Sequence, residues 1–86
     1  MPRKTVDLIK QALREGDFVY SIHRAQSAFD RIVTHQDVKM VGKTCQTAKL
    51  QKNGTYKIAG FDDNDIELTV VCRVHLKRRV LIVTLY

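Results

Sequence analysis

The stretch CQTAKLQKNGTYKIAGF, Cys45 to Phe61, decides how the rest of the chain is read. Asn53-Gly54 is the strongest short hairpin signal in the sequence, because both central residues of a type I′ turn need positive φ, which Asn and Gly tolerate best. The turn is predicted to join a strand over Cys45–Gln51 to one over Tyr56–Phe61. Working outward toward the C-terminus, Asp62-Asp63-Asn64-Asp65 supplies the next turn. Leu68, Val70, Cys72, Val74 and Leu76 then share one face of a third strand, with Glu67, Thr69, Val71, Arg73 and His75 on the other. Lys77-Arg78-Arg79 turns the chain into a last strand, Val80 to Tyr86. There Leu81, Val83 and Leu85 alternate with Val80, Ile82, Thr84 and Tyr86. Both faces of this strand are apolar, which predicts a central position in the sheet.

Before Lys43 the period is helical rather than alternating. Thr5 caps a predicted helix over Val6–Glu15, with Val6, Ile9, Ala12 and Leu13 on one side and Gly16 placed to end it. Asp17 to Tyr20 reads as a link. Ser21 then caps a second helix, in which Ile22, Ala25, Phe29 and Ile32 recur at helical spacing. Thr34 followed by Asp37 resembles a capping box with the shorter acid, opening a brief third helix that Gly42 closes. The expected fold class is therefore α+β: two to three N-terminal helices packed on one face of a roughly four-stranded antiparallel sheet, with residues 1–86 forming one domain.

Charge points to a polyanionic partner. Fifteen Lys and Arg against nine Asp and Glu leave a net charge of +6, so the summed field attracts nucleic acid first and an acidic protein second. No apolar run approaches the roughly 20 residues of a transmembrane helix, which predicts a cytoplasmic protein with no membrane partner. Cys45 and Cys72 are far apart and lack ligand-like neighbours, and His23, His35 and His75 show no metal-binding spacing. Neither a metal nor a cofactor is expected, and both cysteines read as structural.

The segment YSIHRAQSAFDRIV, Tyr20 to Val33, places His23 and Arg24 in the first turn of the second helix. Free N–H groups, the positive end of the helix dipole and the Arg24 guanidinium all favour an anion there. The same dipole disfavours an imidazolium, so His23 leans toward the neutral form that a general base requires. Arg31, seven residues beyond Arg24, lies two turns along nearly the same face and about 10 Å away. Lys77, Arg78 and Arg79 form a second basic group at an expected hairpin tip, readable as a phosphate clamp or as a hook for an acidic partner. From pattern alone each basic group is more often a solvated polar surface, and Tyr86 reads as either a packing ring or a base-stacking one.

Two segments resemble a known family. Tyr20 to Gly42 is similar to a helix carrying a His near its start and an Arg about eight residues later, followed by a short helix ending in Gly. Tyr56 to Tyr86 resembles the same family's three-strand ending, which closes on Thr-x-Tyr. That family is a small prokaryotic domain related to the RelE-like and MqsR-like toxins. The resemblance implies a RelE-type fold and metal-independent RNA cleavage, on or off the ribosome, restrained by an antitoxin. Carried over residue by residue, it assigns His23, Arg31 and Tyr86 to catalysis and Thr84 to RNA contact. Arg24, Lys77 and Arg78 are added as RNA-binding residues on the charge argument above. The expected function is endoribonuclease of a toxin–antitoxin pair, with a non-catalytic basic module for nucleic acid or an acidic protein as the alternative.

Overall fold

The computed structural model of the chain describes residues 3–21, 33–75 and 79–86. They form an α+β arrangement of two helices, α1 (Arg3–Glu15) and α2 (His35–Thr44), and five strands. The strands are β1 (Phe18–Tyr20), β2 (Thr47–Leu50), β3 (Tyr56–Phe61), β4 (Glu67–Val74) and β5 (Val80–Leu85), arranged in one sheet in the order β1-β5-β4-β3-β2. The expectation of a roughly four-stranded antiparallel sheet is corrected at one edge. The link Asp17–Tyr20 contributes a fifth strand, which pairs parallel to β5 with Phe18 opposite Val80 and Tyr20 opposite Ile82. Three residues are too few to display an alternation, so only pairing with a distant strand reveals β1. The second predicted helix lies outside the described residues, apart from its predicted cap, Ser21. Ser21 prolongs the β1–β5 ladder, its N–H donating to Ile82 O at 2.9 Å and its hydroxyl to Val83 O at 3.3 Å.

Local chemistry accounts for the helix ends. α1 begins at Arg3, so Thr5 lies inside it rather than at its cap. Gly16 takes φ +76°, and α1 closes in a Schellman motif, with Gly16 N donating to Leu13 O and Asp17 N to Ala12 O. At α2 the predicted capping box forms: Asp37 N donates to Thr34 Oγ1 at 3.1 Å, and Thr34 N donates to Asp37 Oδ2 at 2.9 Å. Gly42 does not close this helix, which continues to Thr44. A Cβ on Gly42 would lie 2.7 Å from both Arg14 N and Leu13 Cβ, so the glycine serves the close crossing of α1 over α2.

The turns follow the same logic. The Asn53-Gly54 hairpin forms between β2 and β3, but only Gly54 has positive φ, at +82°. Gly54 N donates to Gln51 O and Gln51 N to Thr55 O, the three-residue form in which a type I turn is followed by one left-handed residue. Asn53 instead uses its side chain, accepting from Thr55 N at 3.2 Å. In the acidic turn, buried Asp62 accepts from Asn64 N and Ile66 N through Oδ1, while Asp65 takes φ +64°.

The core lies between the helices and one sheet face. Ile9 and Leu13 of α1 and Val38 and Val41 of α2 meet Ile58, Val70, Cys72, Val80 and Ile82, all fully buried. The β4–β5 ladder then breaks register, because Val71 pairs with Thr84 while Cys72 pairs with Ile82, leaving Val83 as the extra residue of a bulge. The predicted alternation of β5 is corrected accordingly. Beyond the bulge Leu85 joins Val80 and Ile82 in the core, and Thr84 and Tyr86 pass to the opposite face.

Asp37 ties the two layers together, since its second oxygen accepts from Asp63 N at 3.0 Å in the β3–β4 turn. Burial pushes its carboxyl up, but the Thr34 and Asp63 N–H groups and the Thr34 hydroxyl outweigh burial and the nearby Asp62 charge, and the net shift is downward from 3.8. Asp37→Ala removes a cap and a charge-assisted bond between layers, an expected loss of about 2 kcal/mol at neutral pH. A depressed folded-state value means that this stability is present above the unfolded pKa and is lost as pH falls through the folded one. Urea titrations of wild type and variant are expected to differ at pH 7 and to converge as the pH drops below 3.8.

Candidate functional site

The sheet face away from α1 and α2 carries the candidate site. Cross-strand pairing sets its rows: Lys49 of β2 stands opposite Lys57 of β3, Lys57 opposite Val71 of β4, and Val71 opposite Thr84 of β5. The next row runs Thr47, Ala59 and Thr69, and Thr69 exchanges two backbone hydrogen bonds with Tyr86. Tyr86 is 57% exposed, and the Lys57 ammonium sits 5.4 Å from the centre of its ring, a cation–π contact. Arg73, two residues beyond Val71 on the same face, reaches toward Asn53 O at 3.5 Å.

Beside this pair, Gln46, Thr47, Ala59, Phe61, Glu67 and Thr69 line a hollow of about 240 Å³. Phe61 and Thr69 are half-buried there, so a ring and a hydroxyl border the hollow with room to be touched. The β3 backbone beneath is held by Thr44, whose hydroxyl accepts from Phe61 N at 2.8 Å.

Of the residues assigned from sequence, Thr84 and Tyr86 lie on this face, brought there by the β5 bulge. His23, Arg24, Arg31, Lys77 and Arg78 lie outside the described residues. Between β4 and β5, His75 N donates to Arg79 O at 2.7 Å, and both residues are exposed. Lys49 and Phe61 were not singled out by pattern. Their signal is the register of the Asn53-Gly54 hairpin, which sets Lys49 against Lys57 only once the turn type is known.

The remaining reactive groups are committed elsewhere. His35 stacks on Phe18 with ring centres 4.4 Å apart and meets Tyr20 edge-on at 6.4 Å, fastening the start of α2 to β1. Burial pushes the Cys72 thiol up to about 12, which leaves it protonated and inert. Burial also raises Cys45, against the lowering pull of the Lys10 ammonium. Among the described residues no three His, Cys, Asp or Glu side chains gather as metal ligands, and no helix is long and apolar enough to cross a membrane.

No protein family, no curated protein and no solved structure gives a significant match to the chain.

Proposed function

We propose that the protein is a RelE- and MqsR-like endoribonuclease that cleaves RNA without a metal, by attack of a 2′-hydroxyl on the adjacent phosphate. The observation that carries this reading is the emergence of Tyr86 on the cationic sheet face, exposed and with the Lys57 ammonium over its ring. The reaction needs a base for the 2′ proton, cations for the charge building on the phosphoryl oxygens, and an acid for the leaving oxygen. His23 takes the first role, and Arg24 and Arg31 the second. Tyr86 supplies the third or positions the leaving group. Lys77, Arg78 and Thr84 hold the flanking RNA. In a cytoplasmic setting the partners are RNA, free or on the ribosome, and an antitoxin that restrains cleavage.

The test is incubation of purified protein with RNA in excess EDTA. The expected products carry a cyclic phosphate at one new end and a free 5′-hydroxyl at the other. Intact RNA under these conditions would overturn the reading. A second reading, a non-catalytic module for nucleic acid or an acidic protein, draws on the same face, because Lys49, Lys57 and Arg73 attract a polyanion whether or not a bond is broken.

A further inference from the structure

Like charges placed directly opposite each other in an antiparallel pair repel, and Lys49 and Lys57 are such a pair. Lys49 is exposed and Lys57 half-buried, and among the described residues neither ammonium is bonded to a carboxylate. Arg73 lies diagonally across β4 from Lys57 and adds a third cation to the same corner. Folding thus gathers three positive groups that gain nothing from one another, an arrangement that an anion relieves. Lys57 is already oriented by the Tyr86 ring. One strand step away, about 7 Å along β3, Ala59 begins the hollow bordered by Phe61 and Thr69.

Cations beside an aromatic-edged hollow match the repeating chemistry of a single-stranded polynucleotide, in which a phosphate alternates with a flat base. An acidic peptide would satisfy the cations too, but only a polynucleotide carries a flat group beside every charge along its length. We infer that this sheet face is a binding track for single-stranded RNA, with phosphates on Lys49, Lys57 and Arg73 and a base lodged against Phe61 in the adjoining hollow. The inference rests on the RNA reading above for its ligand, but not on cleavage.

Binding is separated from cleavage by a short fluorescent RNA oligonucleotide with 2′-O-methyl groups, which cannot undergo 2′-hydroxyl attack. Its affinity is followed by anisotropy across a range of salt concentrations. Lys49→Ala with Lys57→Ala is expected to weaken binding and to flatten the slope of log affinity against log salt by about 1.4, at about 0.7 for each single-strand phosphate left without its lysine. Lys4→Ala with Lys43→Ala removes the same charge from α1 and α2 and is expected to leave the slope unchanged. Phe61→Leu keeps the apolar bulk without the ring face, and is expected to lower affinity about tenfold at constant slope.

Equal slopes for the two lysine pairs, or an unchanged affinity for Phe61→Leu, would overturn the track. A wild-type protein that binds the modified oligonucleotide but does not cut its unmodified counterpart would support the track while overturning the nuclease. Cleavage of the unmodified RNA, together with a Lys49 and Lys57 double variant that binds like wild type, would do the reverse.

Discussion

His23→Ala is expected to bind the 2′-O-methyl oligonucleotide like wild type and to cleave unmodified RNA about 10²–10⁴-fold more slowly, the usual worth of a positioned general base. The general-base role gives this expectation its pH signature. A base accepts the 2′ proton only in its unprotonated form, and histidine is the side chain that ordinarily changes charge between about pH 5 and 8. Wild-type cleavage is therefore expected to rise with pH and level off by neutrality, and the variant to lack that rising limb. A merely structural histidine would lower the rate at every pH by the same factor and would leave the limb in place. Cleavage that survives the substitution with its pH profile intact would remove His23 from the mechanism.

Gly42→Val is expected to cost about 3 kcal/mol, the upper part of the range for forcing bulk into a packed contact. The first atom added would sit 2.7 Å from Arg14 N and 2.7 Å from Leu13 Cβ, against the backbone of the neighbouring helix rather than the end of a side chain that can swing aside. α1 and α2 would have to separate, and the packing of Ile9, Leu13, Val38 and Val41, all fully buried, would loosen together. Helix propensity alone favours valine over glycine by a few tenths of a kcal/mol, so the sign of the effect identifies its cause. For a domain of this size, about 3 kcal/mol corresponds to a fall in Tm of about 15 °C, measurable by circular dichroism. An unchanged or raised Tm would mean that the helices do not cross at Gly42.

The reading of Gly42 shows where sequence patterns stop being informative. A glycine after a short helical run is a common C-terminal signal, and Gly16 behaves in that way, with φ +76° and both Schellman bonds formed. Gly42 has the same local context but lies inside α2, because what decides its role is a helix nearly thirty positions earlier in the chain. The capping box was legible because Thr34 and Asp37 are three residues apart and their bonds close within one turn. The further bond from Asp37 to Asp63 N was not, since no local spacing relates those two residues. The hairpin at Asn53-Gly54 was recognisable by its residues, but its turn type was not, because a three-residue loop also satisfies them.

The candidate site divides in the same way. The Thr-x-Tyr ending makes Tyr86 a candidate site residue, and the apolar character of β5 indicated a central strand, which lies between β1 and β4. Strict alternation, however, placed Thr84 and Tyr86 with Val80 and Ile82, on the face that became the core. One extra residue, Val83, reverses the phase and turns Tyr86 toward Lys57. A bulge belongs to the pairing of two strands and leaves no mark in either one alone.

By itself the sequence determined the α+β class, the antiparallel succession of β2 to β5, the helix ends at Gly16 and Thr34 and the basic character of the surface, since each depends on residues a few positions apart or on composition. Tertiary structure alone decided the parallel edge strand at Phe18–Tyr20, the crossing of the helices at Gly42, and the face on which Lys49, Lys57 and Tyr86 meet. Those features depend on which distant backbones come into hydrogen-bonding and van der Waals contact, and such contacts are set by the register of the whole sheet rather than by the residues on either side.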